Sequence, residues 1–131
     1  MFYEIKLKVA KENSKGEMKE VKEHFITDVT FFAEAEVKGI ELYNNQADVY
    51  SVTRSKIKEI INEKKDEHPF FKAVVVDTFT NDDGSEKEIQ YSILVCAKDI
   101  QEANKLVEEY LNQGFDMKLK EIKETKILDV L

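Results

Sequence analysis

Tryptophan is absent from this chain, cysteine and proline occur once each, histidine twice and glycine four times. Each shortage removes a class of function. The single cysteine, Cys96, excludes an intramolecular disulfide framework. So few glycines leave neither a GxGxxG fingerprint nor a P-loop to be written. No apolar run approaches the ~18 residues of a transmembrane helix. The opening Met1-Phe2-Tyr3-Glu4-Ile5-Lys6 alternates like a strand and lacks the apolar stretch of a signal peptide. These points lead to the expectation of a cytoplasmic protein without a membrane partner. A basic excess is missing too: the formal net charge is −7, so the usual electrostatic footprint of a nucleic-acid binder is absent.

What is present is enough for a folded core. At 131 residues, 42% hydrophobic and 36% charged, the chain needs no disulfide or metal to hold it. Charges of both signs are interspersed, and apolar periodicity runs nearly end to end, which argues against disorder. An internal repeat organises the pattern. Shifting the sequence by 68 residues lays Phe2 on Phe70, Asn13 on Asn81, Gly16 on Gly84 and Lys19-Glu20 on Lys87-Glu88. The same shift lays Glu34-Ala35 on Glu102-Ala103, and Glu41, Asn44 and Asp48 on Glu109, Asn112 and Asp116. Past residue 48 the offset becomes 70, and the segment Val52–Ile61 falls on Ile122–Leu131 with matching apolar pattern.

Each copy reads as a ββαβ unit. In the first, Tyr3, Ile5, Leu7 and Val9 alternate with polar residues, as in a half-buried strand. Asn13-Ser14-Lys15-Gly16 supplies a turn, and a return strand over about Met18–Thr27 makes a hairpin. Asp28 and Thr30 are capable N-caps for a helix over about Phe31–Asn44, packing through Phe32, Ala35, Ile40 and Tyr43. Val49–Ile61 reads as one long third strand. The second copy repeats the plan: a strand over Phe71–Phe79, the turn Asn81-Asp82-Asp83-Gly84, and a return strand over Glu88–Val95. Its helix over Asp99–Leu111 packs through Ile100, Ala103, Val107 and Tyr110. Phe115, Met117 and Leu119 alternate in its last strand, and a change of phase predicts a bulge near Lys120-Glu121. The expected fold is therefore α+β, a tandem duplication of a ββαβ unit whose antiparallel sheet or sheets carry two helices on one side. One globular domain is expected over 1–131, with repeats 1–61 and 70–131 joined by a charged connection, 62–69, that has no apolar anchor.

Several stretches carry a resemblance. They are the Phe-Tyr-Glu-Ile-Lys-Leu start, the run Phe25-Ile26-Thr27-Asp28-Val29-Thr30-Phe31-Phe32-Ala33-Glu34-Ala35-Glu36, Phe70-Phe71-Lys72-Ala73-Val74, and the ending Thr125-Lys126-Ile127-Leu128-Asp129-Val130. Over most of its length the chain resembles an uncharacterised family of small proteins found in Bacteroidota and their phages, including crAss-like phages. The resemblance implies a bacterial or phage cytoplasmic setting and transfers no catalytic residue or cofactor.

The residues themselves offer little chemistry. A nucleophilic pair of Cys96 with His24 is outweighed by the position of Cys96 after the apolar run Ile93-Leu94-Val95, where a thiol acts as a small hydrophobe. Asp82, Asp83 and Glu86 around Gly84 are weak candidates for a calcium site, and a polar hairpin turn accounts for them better. No catalytic, cofactor-binding or metal-binding residue is assigned, and no cofactor is expected. The favoured expectation is a non-enzymatic binding or accessory protein acting through protein partners or self-association at its sheet edges. The alternative is a replication-associated single-stranded nucleic-acid binder that uses Lys6, Lys8, Lys11, Lys15, Lys19 and Lys22 of the first hairpin. Interleaved Glu4, Glu12, Glu17, Glu20 and Glu23 weigh against it. How those lysines divide between the two faces of the hairpin decides how much of the alternative survives.

Overall fold

A computed structural model describes residues 1–114 and 117–131. Phe115 and Asp116, which the sequence places in the last strand and opposite Asp48 in the repeat, lie outside the described residues. The first half runs β1 (Phe2–Glu12), β2 (Met18–Asp28), α1 (Phe32–Glu41), β3 (Asp48–Arg54) and β4 (Ile57–Ile60). The second runs β5 (Phe70–Thr80), β6 (Glu86–Cys96), α2 (Ile100–Leu111), β7 (Met117–Glu124) and β8 (Ile127–Val130). The protein is α+β, with its strands in two four-stranded sheets of order β3-β1-β2-β8 and β4-β6-β5-β7.

The hairpins follow from their turns. Asn13 and Asn81 each accept a backbone bond from the glycine three residues on, Gly16 at 3.1 Å and Gly84 at 3.0 Å. Those glycines have φ of +78° and +86°, a region that a side chain disfavours. Asn13 Oδ1 also takes the amides of Lys15 and Glu17. In the second turn Asp83 accepts from the amide and hydroxyl of Ser85, at 2.9 and 2.5 Å. The Ser85 hydroxyl and amide together hold that carboxyl below its ordinary range. Of the three carboxylates considered as calcium ligands, that of Asp83 is thus spent on its own turn.

The third strand departs from expectation. It breaks at Ser55-Lys56, where the Ser55 amide donates to the Phe2 carbonyl at 2.9 Å. The four residues beyond the break do not continue the ladder with β1. They pair in parallel with β6, Ile57 with Ser92 and Ile60 with Leu94. The second copy does the same in reverse. It breaks after Thr125, whose amide donates to Phe70 O at 2.8 Å, and β8 pairs in parallel with β2, His24 with Ile127 and Ile26 with Val130. Each repeat therefore gives its last strand to the sheet of the other. Each sheet is mixed, with one parallel pairing beyond the antiparallel set that the sequence suggests. Two compact units result, residues 1–55 with 126–131 and residues 56–125, whose limits differ from those of the repeats.

The registers of the two units correspond residue for residue. Lys8 pairs with Asp48 and Val76 with Lys118, so the offset is already 70 at residue 48. The structural counterpart of Asp48 is thus Lys118. The bulge expected near Lys120 is present, since the β5–β7 register shifts between Val74 and Val75 and leaves Lys120 unopposed. Its counterpart in β3 leaves Tyr50 as the extra residue.

Period-2 alternation sets the cores. Tyr3, Ile5, Leu7, Val9 and Phe25 are buried with Ala35 of α1. In the other unit Phe71, Ala73, Val75, Ile93 and Val95 are buried with Ala103 and Val107 of α2. Gly39 is buried where α1 meets the sheet: a Cβ there would lie 2.8 Å from Ile5 Cγ2 and 3.0 Å from Val49 Cγ2. At the positions of Gly39 and Ile5 the second unit has Val107 and Ala73. The connection 62–69 is less loose than its composition suggests. The Asn62 side chain accepts from the Cys96 amide at 2.7 Å and donates to the Cys96 carbonyl at 2.6 Å.

Candidate binding surfaces

The six lysines of the first hairpin divide. Glu4, Lys6 and Lys8 share the face of β1 opposite to the buried Tyr3, Ile5 and Leu7, and their register partners on β2 are Ile26, His24 and Lys22. Lys6, Lys8 and Lys22 thus lie together on the face away from α1. Lys11 and Lys19 pair with each other on the helix side, and Lys15 is in the turn. The bulge turns Tyr50 of β3 toward the lysine group: Lys8 Nζ lies 5.2 Å and Lys22 Nζ 6.0 Å from its ring centroid, within cation–π reach. Tyr50 is 44% exposed. Nothing in the sequence singles out Tyr50, because its role depends on the bulge.

On the helix side Lys11 belongs to a structural group. Its Nζ lies 2.9 Å from Glu23 Oε2, and the Tyr43 hydroxyl donates to the other carboxylate oxygen. Glu23 is buried, so these two donors are what make a carboxylate tolerable there. The Glu23 carboxylate raises the pKa of the Lys11 ammonium, and burial raises that of the Tyr43 hydroxyl. The corresponding residues of the other unit are Phe79, Tyr91 and Leu111, a mostly apolar solution of the same position.

His24 is committed as well. Its Nε2 is 2.9 Å from Glu4 Oε1, and the nearby imidazole holds the Glu4 carboxyl below its ordinary value of 4.5 against the opposing effect of burial, with Ser55 assisting. A carboxyl lowered in the folded state stabilises the fold above its unfolded pKa and stops doing so as pH falls through the folded one. Acid titration of the urea midpoint is therefore expected to show stability lost below about pH 4.5, and Glu4→Gln is expected to flatten that limb. Cys96 Sγ, for its part, is buried between the Lys65 amide at 3.4 Å and the His68 carbonyl at 3.5 Å.

The start of α1 is the second exposed feature. Asp28 does not cap it: β2 runs through Asp28, whose carboxylate instead holds the N-terminal amine at 2.6 Å. Nor does Thr30 cap it. The N-cap is Phe31, with no side-chain hydrogen bond to the free amides. The corresponding residue of α2, Asp99, accepts from the Glu102 amide at 2.8 Å. Phe31 is 66% exposed, Met1 and Phe32 are exposed as well, and the Phe32 ring meets Tyr3 edge-on at 6.0 Å. The internal alignment of Phe31 on Asp99 is the signal that could have found this.

A cleft of about 280 Å³ in the second unit is lined by Glu59, Asn62, Leu106, Glu109, Tyr110 and Gln113, among others. The Tyr110 hydroxyl donates to Glu59 at 2.9 Å, and burial pushes its pKa well up, so it stays protonated and is no base. Among the described residues no group of three or more His, Cys, Asp or Glu is placed to hold a metal ion, and no helix is long and apolar enough to cross a membrane.

Residues 1–131 match the model of a protein family described as Domain of unknown function (DUF4494). No curated protein matches the chain. No solved structure matches it.

Proposed function

Since the chain belongs to that family, whose description carries no activity, we propose from its own surfaces that it is a non-enzymatic binding or accessory protein working through protein contacts. The observation that supports this is Phe31. An aromatic N-cap forgoes about 1 kcal/mol of helix stabilisation, and this one leaves most of its ring in water. The other unit has Asp99 in the same place, so the scaffold accommodates the better cap. A residue kept against stability, with Phe32 exposed next to it, is a candidate anchor for an apolar partner surface.

The partner lies along edge strand β3. Tyr3, which the Phe32 ring touches, pairs with Arg54 at the end of β3, so the aromatic group sits beside that edge. Along Asp48–Arg54 only the two terminal residues are charged. Edge strand β7, in contrast, carries Lys118, Lys120, Glu121, Lys123 and Glu124, which discourage strand addition. As the sequence resemblance implies, the setting is the cytoplasm of Bacteroidota cells or of cells infected by their phages, and the gene belongs to one or the other.

The test is differential capture from a Bacteroidota lysate, with wild type and Phe31→Asp as baits, alongside sedimentation of both proteins. Wild type is expected to retain a partner or form an oligomer that Phe31→Asp loses. Identical captures and a monomeric mass for both proteins would overturn the reading.

A further inference from the structure

We propose that the face of the first sheet away from α1 binds single-stranded nucleic acid, with Tyr50 as the stacking ring and Lys6, Lys8 and Lys22 as the phosphate contacts. This goes beyond the protein-binding reading and stands on side chains other than Phe31 and Phe32, although Tyr50 belongs to the same edge strand.

Lys8 and Lys22 are direct cross-strand partners. Like charges in that position are destabilising, and neither ammonium lies within ion-pair distance of a carboxylate among the described residues, although the register partner of Lys8 on the other side is Asp48. Both sit near one aromatic ring. The fold does not require the arrangement. In the second unit the positions of Lys6, Lys8, Lys22 and Tyr50 are taken by Val74, Val76, Gln90 and Lys120, and Lys120 there donates to Gln90 at 3.4 Å. An anion between Lys8 and Lys22 would relieve their repulsion.

The shape suits one ligand class. Lys6 and Lys8 are two residues apart on a strand, roughly 6.7 Å, comparable to the spacing of successive phosphates on an extended single strand. A half-exposed ring beside such a row is the stacking platform of sequence-tolerant single-strand binders. The bulge at Tyr50 is the device that aims it, as bulges re-aim side chains elsewhere. Glu4, the nearest acid along β1, is engaged by His24. The net charge of −7 opposes a polyanion at long range, so affinity comes from the local group and falls quickly with salt.

The experiment is fluorescence anisotropy of the intact protein with a short labelled oligodeoxythymidine at low salt. Binding is expected at micromolar to tens of micromolar protein, with a log–log salt slope of about −2 for three lysines. Tyr50→Ala is expected to weaken it about tenfold or more, whereas Tyr50→Phe retains it. Lys8→Gln and Lys22→Gln are each expected to lower the slope by about 0.7. Lys19→Gln, on the other face of the same hairpin, leaves binding unchanged. Thermal melts of each variant establish that it is folded, and the lysine variants decide the matter should Tyr50→Ala be destabilised. No anisotropy change at tens of micromolar protein overturns the proposal. So does binding that Lys19→Gln weakens as much as Lys22→Gln, or binding that inorganic polyphosphate displaces equally from wild type and Tyr50→Ala.

Discussion

Gly39→Val is expected to destabilise the protein by about 2 kcal/mol and Ile5→Ala by about 3 kcal/mol, while the double variant is expected to lose less than Ile5→Ala alone. The reason is the close approach of α1 to its sheet. A side chain at Gly39 would run into the β-branched methyls of Ile5 and Val49, both held by their backbones, so neither can swing away cheaply. The clash outweighs the roughly 0.3–0.5 kcal/mol of helix propensity that valine would otherwise gain over glycine. Removing Ile5 alone opens a cavity in a fully buried site. The second unit shows the other way to fill the same space, with alanine on the strand (Ala73) and valine on the helix (Val107), both fully buried. Transplanting that pair into the first unit puts the methyls introduced by Gly39→Val where those of Ile5 had been. Urea denaturation of the four proteins gives a double-mutant cycle with an expected coupling above about 2 kcal/mol. Additive losses would mean that the two residues do not share the space.

Asn62→Ala is the second substitution with a large expected cost, about 2–3 kcal/mol. The Asn62 amide satisfies both backbone groups of Cys96, standing in for a strand partner just beyond the end of β4. Cys96 is 3% exposed, so alanine would strand a donor and an acceptor together in a buried place. Asn62→Asp separates the two bonds. It can still accept from the Cys96 amide but presents a carboxylate to the Cys96 carbonyl oxygen, so it is expected to be at least as damaging as alanine. The check is the urea midpoint of each variant, together with faster hydrogen exchange at the Cys96 amide. The same residue explains why the connection 62–69, read from composition as a surface segment with no apolar anchor, is held in place: its anchor is polar.

Much of the plan is legible in local pattern. The hairpins are fixed by Asn-x-x-Gly turns and by alternation, and the Lys120 bulge by the change of phase between Leu119 and Ile122. The 68-residue shift identifies hairpins and helices that prove equivalent in register. What local pattern does not carry is partner choice between distant strands. Ile57–Ile60 and Ile127–Val130 have matching apolar patterns because they are equivalent, and for that reason neither reveals which sheet it joins. The break at Ser55-Lys56 carries no glycine or proline to announce it, and the polar run Thr53–Lys56 also reads as an exposed stretch of one strand. Asp28 and Thr30 offer good capping chemistry, but β2 runs through Asp28 and the chain turns into α1 only at Phe31.

The candidate surfaces are only partly legible. Three of the six hairpin lysines converge on one face, while Lys11 is drawn into the Glu23–Tyr43 group, Lys19 lies on its side of the sheet and Lys15 stays in the turn. Tyr50 becomes visible only once the bulge is seen. In both surfaces the informative feature is a departure of the first unit from the second: Phe31 against Asp99, and Lys8, Lys22 and Tyr50 against Val76, Gln90 and Lys120. Such departures, on this reading, are retained for contact with another molecule and not for the fold.

The most direct measurement of that claim is the urea stability of Phe31→Asp. If Phe31 serves an external contact, restoring the cap that α2 possesses makes the isolated protein more stable by about 0.5–1 kcal/mol. A Phe31→Asp protein less stable than wild type would show that the ring is holding the fold together, and would contradict the account.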